Sequence, residues 1–305
     1  AVSANLGDLV RRNASRWPGG LAFVYGATER TWREVDERTE EIARGMVVKA
    51  VAAGRRAGVI SANSVELVEF YLAAAKAGVP VVLLRPALTS AELADQIQTG
   101  DIGLLATDAG RAGVCRGAMD ALPSTVRPPS LVSLGEDVSG ATPLEDLRVP
   151  DTVPIATSEE ILFVALTSGT TGSAKSVGIT HANFIAGITT MAIEAGIRRG
   201  HRSLTLHPLC TAGALGASLF PPMRLGCPTW ILDYRLQYDL EAGPPAMCAA
   251  IEGLRTNHLV APVFFFADER TAGYDLSTLV NVVNGVSSVG RVARLRAAAE
   301  RLGGN

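Results

Sequence analysis

Short runs of branched and aromatic apolar residues alternate with capped stretches of helical period along most of this chain, and that alternation constrains its fold more than any other feature. Leu21–Tyr25, Ala57–Ile60, Val79–Leu84, Gly103–Thr107 and Ser130–Leu134 have the length and composition of strands. Between them lie helical stretches. The first runs from Leu6 to Trp17 behind Asn5, and the second carries Val35, Ile42, Ala43 and Met46 on one face. Others are Val65–Lys76, opened by Ser64 and stopped by Gly78, then a segment ending near Thr99, and Gly110–Leu122. Thr31 with Glu34, and Thr89 with Glu92, have the spacing at which a hydroxyl and a carboxylate each satisfy the other residue's backbone N–H, so both pairs mark helix starts.

The chain turns polar and rich in Gly and Pro over 135–158, a possible subdomain connection. The alternation then resumes with strands at Glu160–Leu166, Ser203–Leu206, Thr229–Leu232, His258–Val263 and Leu279–Asn284. Helices are expected at Ala182–Ala195, Ala214–Phe220, Ala246–Asn257 and Val289–Leu302. Strands joined by helical crossovers pair in parallel, so the expected class is α/β, with mostly parallel sheets flanked by helices.

Composition removes several alternatives. Of 305 residues, 48% are hydrophobic and 19% charged, with a net charge of −2, which excludes a disordered chain and a basic nucleic-acid binder. No apolar run approaches the roughly 18 residues that a membrane-spanning helix needs. Cys115, Cys210, Cys227 and Cys248 form no Cys-x-x-Cys pair and have no His at ligand spacing, so reduced, buried thiols are expected, with no metal site. The sequence opens without a charged and then apolar leader, and a cytoplasmic location is the expectation. The basic residues are almost all Arg; Lys occurs only at Lys49, Lys76 and Lys175.

One of those lysines lies in the most informative segment, Thr167, Ser168, Gly169, Thr170, Thr171, Gly172, Ser173, Ala174, Lys175, Ser176. Hydroxyls donate to phosphate oxygens, glycines let backbone N–H groups approach, and a lysine supplies a compact positive charge, so the segment is an anion-site candidate. It lies between an apolar strand and an expected helix, which sets it apart from a flexible Ser/Thr/Gly linker. Lys175 follows Gly172 by three positions, so the Walker A spacing is not met.

Thr167–Val177 resembles the phosphate-binding signature of the adenylate-forming (AMP-binding) superfamily, which includes acyl- and aryl-CoA synthetases, luciferases and peptide-synthetase adenylation domains. Gly54–Val68, Tyr71–Gly78, Thr89–Leu93 and Thr107–Asp108 are similar to further segments of that family, in the same order. The resemblance implies that 1–305 is the large N-terminal AMP-binding domain of an acyl-CoA synthetase, incomplete at its C-terminal end. The implied reaction activates a carboxylic acid with ATP and Mg²⁺ to an acyl-adenylate, then transfers the acyl group to coenzyme A. Lys175 and Thr167 take the catalytic roles. Thr167, Ser168, Gly169, Thr170, Thr171, Gly172 and Lys175 hold the phosphates, and Gly285 packs on the adenine. Ala212, Gly213, Val263 and Phe264 fall where the family builds its acyl pocket, although Phe264–Phe266 also reads as plain core.

Departures from the pattern are specific. Ala174 and Ser176 replace Pro and Gly, Cys210 and Thr211 replace an aromatic and a His, and Val286 replaces a second Gly. Cys210 has no identifiable base beside it, His207 reads as a structural or capping residue, and His181 as a phosphate donor or a solvent-facing helix start. No carboxylate lies within His207–Phe220 to pair a substrate ammonium, which favours a neutral fatty or aromatic acid. The family's metal-binding Glu, ribose-binding Asp and C-terminal Lys have no counterpart here. The missing C-terminal half is therefore expected to be required for turnover, and the alternative is a non-catalytic relative that binds nucleotide or an acyl group.

Overall fold

The computed structural model describes residues 5–50, 55–150, 160–167 and 175–283. The helix expected at Val289–Leu302 lies outside them. Helix α1 (Leu6–Arg16) starts where the Asn5 side chain accepts the Gly7 N–H at 2.7 Å. Strands β1 (Leu21–Tyr25) and β2 (Thr28–Thr31) lead into α2 (Trp32–Gly45), which opens with both halves of the expected capping box between Thr31 and Glu34. Next come β3 (Arg56–Ile60), α3 (Val65–Ala77) and β4 (Val81–Leu83). Ser64 caps α3, and Gly78 ends it at φ 68°, a left-handed conformation that costs a residue without Cβ little. Thr89 and Glu92 form the second capping box and open α4 (Ser90–Thr99).

The chain continues through β5 (Ile102–Thr107), α5 (Ala112–Asp120), β6 (Ser130–Ser133), β7 (Thr142–Pro143), β8 (Ile161–Thr167), β9 (Lys175–Thr180) and α6 (His181–Glu194). After β10 (Ser203–Thr205), α7 (Ala212–Ala214) passes through a π-helical turn at Leu215–Leu219 into α8 (Phe220–Met223). The last described elements are β11 (Thr229–Ile231), α9 (Gly243–Leu254), β12 (His258–Val260), a 3-10 segment at Val263–Ala267, and β13 (Asn281–Val283).

These elements form two compact units. The first comprises residues 1–19, 31–187 and 210–212, and the second residues 20–30, 188–209 and 213–305. In the first, seven strands are ordered β7-β6-β5-β3-β4-β8-β9, and all neighbours are parallel except β8 and β9. Ile60, Val82, Leu84, Leu105 and Val164 from the sheet bury against Leu93 and Ile97 of α4 and Cys115 and Ala118 of α5.

Helix α3 is apolar nearly all round, yet it also buries Glu69 and Lys76 completely. Ions withdrawn from water persist only when paired. Arg38 of α2 grips Glu69 through two N–H groups at 2.7 and 3.1 Å. Asp36 and Glu40 of α2 meet the Lys76 ammonium at 2.5 and 3.2 Å, and Arg11 of α1 reaches Glu40 at 3.0 Å. Burial still lowers the Lys76 pKa with both carboxylates beside it. Charge thus fixes which faces of α1, α2 and α3 meet.

In the second unit six strands are ordered β13-β12-β10-β11-β1-β2. The face carrying Leu204 and Leu259 packs on Met247, Cys248 and Ile251 of α9 and on Phe264–Phe266 of the 3-10 segment. The opposite face receives the π-helical turn, which touches β10 and β12.

Four local expectations are corrected. Strand β12 stops at Val260, and Pro262 leads into a 3-10 turn that buries Phe264, Phe265 and Phe266 together, which the alternating sides of a strand do not allow. Helix α9 begins at Gly243 because Pro244 and Pro245 sit in its first turn, where a missing N–H breaks no intrahelical bond. The helix placed at Ala214–Phe220 is an α–π–α run from Ala212 to Met223. Strand β9, absent from the sequence reading, occupies Lys175–Thr180 at the end of the loop that leads into the helix at Ala182.

Replacing Glu69 with Ala leaves Arg38 with Glu145 as its carboxylate partner at 2.8 Å, removes a two-bond pair from the interior, and is expected to cost about 1–3 kcal/mol, read from the urea midpoint. Gly45→Ala is expected to destabilise as well, because a Cβ there would sit 1.7 Å from the Leu147 carbonyl oxygen.

Candidate active site

Strand β8 delivers the Ser/Thr/Gly-rich segment, and two ladders fix where it emerges. Val81, Val82 and Leu83 of β4 register with Phe163, Val164 and Ala165 on one side. On the other, β9 returns antiparallel and its pairing ends with Thr167 opposite Lys175. Neighbouring strands run about 4.8 Å apart, so the backbone brings these two residues together at the mouth of a hairpin. Ser168, Gly169, Thr170, Thr171, Gly172, Ser173 and Ala174 form the connection and lie outside the described residues. Lys175 therefore opens a strand, where the sequence reading put it in a loop.

The hairpin is anchored by Phe163, which is fully buried and meets Tyr71 of α3 and Phe184 of α6 edge-to-face, at centroid distances of 5.6 and 5.1 Å. From Lys175 the chain runs on as β9 up to the start of α6, because its pairing with β8 continues to Thr180 opposite Ile161. Its only apolar residues, Val177 and Ile179, flank Gly178, which leaves too short a pattern to read as a strand from sequence alone.

Histidine and cysteine chemistry is narrow here. His181 opens α6 but is buried, and its Nδ1 accepts the Leu6 N–H at 3.1 Å, so it is neither a solvent-facing ring nor a free phosphate donor through that atom. His207 Nδ1 lies 3.1 Å from Gln237 Oε1, and burial lowers its pKa. Burial pushes the Cys210 thiol up to about 11, which keeps it protonated at neutral pH and removes it as a nucleophile. All four cysteines are free and buried.

The acyl-pocket candidates separate. Phe264 lines a cleft of about 240 Å³ together with Leu240, Pro244, Phe265, Ala267 and Asp268, and the Asp268 carboxylate is occupied by Arg270 Nε and Nη2 at 2.8 and 2.7 Å. Val263 begins the same 3-10 segment. Ala212 and Gly213 do not line this cleft; they open α7, and space is free where a Gly213 Cβ would project. Strand β13 leads toward Gly285 and Val286, both outside the described residues. Among the described residues, no group of three or more His, Cys, Asp and Glu side chains could hold a metal ion, and no helix is long and apolar enough to cross a membrane.

The sequence model of the family described as "AMP-binding enzyme" matches residues 10–304. The chain belongs to this family. The chain is 23% identical over 263 residues to tyrocidine synthase 2 of Brevibacillus parabrevis, covering 86% of the chain and 7% of that protein. It is 27% identical over 229 residues to the long-chain-fatty-acid–CoA ligase FadD13 of Mycobacterium tuberculosis, covering 72% of the chain and 44% of that protein. The chain thus spans less than half the length of either relative. Among solved structures, the anthranilate CoA ligase AuaEII in complex with anthranoyl-AMP superposes with a TM-score of 0.86 at 19% identity, over 99% of this chain and 58% of that one. At that identity the likeness speaks for the fold.

One set of residues escaped the sequence reading. Thr229, Ser203, His258 and Asn281, the first residues of β11, β10, β12 and β13, stand in register as one row across the second sheet. The signal was present, since each of those apolar strands opens with a polar residue, but only pairing aligns them. Burial, with His201 nearby, holds His258 at about 4 against an ordinary 6.5. The unfolded chain then binds more protons than the folded one between those values, so this contribution to stability is complete above about pH 6.5 and is lost as pH falls toward 4. A loss of about 3 kcal/mol across that window is expected. Guanidinium midpoints between pH 7.5 and 4.5 should show it in the wild type and a flatter profile in His258→Leu.

Proposed function

We propose that this AMP-binding enzyme activates a carboxylic acid that lacks an ammonium group, fatty or aromatic, and delivers the acyl group to a thiol such as coenzyme A. The backbone pairing of Thr167 with Lys175 across the hairpin mouth carries the reading, because it returns the chain from the first residue of the hydroxyl- and glycine-rich segment to its lysine within one strand spacing. ATP is a substrate here: attack of the acid's carboxylate oxygen on the α-phosphorus forms the acyl–AMP anhydride and releases pyrophosphate.

In this reading, Lys175 supplies positive charge to the departing pyrophosphate, where a fixed cation stabilises the transition state more than the ground state. Thr167, Ser168, Thr170 and Thr171 donate hydroxyl hydrogens to phosphate oxygens, Gly169 and Gly172 admit the backbone, and Gly285 packs on the adenine. Ala212, Gly213, Val263 and Phe264 shape the acid's surroundings, and the absence of a carboxylate within His207–Phe220 disfavours an amino-acid substrate. The described residues hold no donor set that fits Mg²⁺, and no step is assigned to it. The resemblance places the metal-binding Glu, the ribose Asp and the C-terminal Lys outside residues 1–305, and the complete reaction is proposed for a protein that contains them.

A second reading, nucleotide or acyl binding without turnover, is favoured by Cys210 and Thr211, since Thr211 stands where the resemblance implies a His and a hydroxyl does not supply an imidazole's chemistry. Pyrophosphate exchange with a panel of fatty and aromatic acids separates the two. Exchange that falls about 10²–10³-fold in Lys175→Ala is the result expected for an active enzyme. Exchange unchanged by that substitution overturns the assignment of Lys175, and ATP binding without exchange, even with the C-terminal part supplied, selects the second reading.

A further inference from the structure

In the first unit the chain leaves β4 by a tight turn, and Arg85 stands at its start. The Leu84 N–H still bonds the Val59 carbonyl of β3 at 3.2 Å, and the Leu88 N–H returns to the Arg85 carbonyl at 3.2 Å. Pro86 is buried inside this turn and restricts the backbone of the residue before it to extended conformations. The Arg85 backbone is therefore fixed, while its side chain is exposed and accessible to a ligand.

Strand register places this residue at the candidate site. Leu83 lies opposite Ala165 of β8, so two residues on, the Arg85 backbone comes level with Thr167, one strand spacing away on the side opposite β9. The Thr167 backbone thus has Arg85 to one side and Lys175 to the other. Alternation fixes the face. Val82 and Leu84 bury with Val164 against α4 and α5, which turns Arg85 to the other side, where Phe163 meets Tyr71 of α3. Cys210 lies there as well, its thiol within electrostatic reach of both Tyr71 and Arg85. The first unit takes in residues 210–212, and Ala212 among them is an acyl-pocket candidate.

Among the described residues, no carboxylate closes an ion pair with Arg85. Glu92, which its charge reaches, spends Oε2 on the Thr89 N–H and hydroxyl, both at 2.8 Å. Attack on ATP brings a carboxylate against a polyphosphate, and a fixed cation beside them offsets the repulsion between the two anions. A guanidinium suits the task, since its forked N–H groups match the two oxygens of a carboxylate. Arg85 stands between the start of the phosphate segment and the stretch that carries the acyl-pocket candidate, which is where the acid's carboxylate has to lie. We propose that Arg85 binds the reacting carboxylate of the acid substrate and holds it toward the phosphates. The inference rests on the acid-activating reading and adds to it a residue that the phosphate segment does not contain.

The test is calorimetric titration of the 305-residue chain, saturated with α,β-methylene-ATP, with benzoate, cinnamate and decanoate, and with benzamide and cinnamamide as neutral isosteres. In Arg85→Gln the affinity for any acid that binds the wild type should fall about tenfold or more, while the affinity for the nucleotide analogue, titrated separately, moves less than about twofold. Arg85→Lys, which keeps the charge and loses the fork, should fall between the two. Arg116→Gln removes an exposed arginine from α5 on the other face of the sheet and should leave acid binding unchanged. Acid affinity untouched by Arg85→Gln overturns the inference while acid activation stands. So does a loss confined to the nucleotide analogue, which would put Arg85 on the phosphates, or an equal loss for an acid and its amide. No binding of any acid to the wild type overturns the acid-activating reading itself.

Discussion

Strand β8 is shared by two ladders of opposite sense, and the candidate nucleotide site depends on that sharing. The parallel ladder to β4 fixes how far β8 runs, and the antiparallel ladder to β9 brings the chain back one strand spacing away. Phe163 locks the strand in that position between Tyr71 and Phe184, so the end of the hairpin is set by aromatic packing in the core.

The two units solve burial differently. In the first, α3 carries ions into an apolar interior, and the cost is offset by Arg38, Asp36, Glu40 and Arg11, which reach in from α2 and α1. Those pairs act as registration marks, since apolar faces alone would tolerate sliding. In the second, one sheet face is filled by Leu, Met and Phe side chains from α9 and the 3-10 segment, while the other opens with polar groups under the π-helical turn.

Much of this was legible before any coordinates. The capping boxes at Thr31 and Thr89, the Ser64 and Gly78 bounds of α3, and the alternation that yields parallel sheets are local or periodic signals, and each appears as read. The misreadings share one cause. Strand β9 and the shortened β12 depend on neighbours far away in sequence or on a proline turn.

The sequence by itself determined the fold class and the family, because propensity, capping and motif spacing are properties of short stretches. Tertiary structure decided that Thr167 faces Lys175, that His181 is spent on the Leu6 N–H, and that four scattered polar residues share one row. Those are consequences of strand register and burial, and register is set by which distant strands pair, a choice that no single segment encodes.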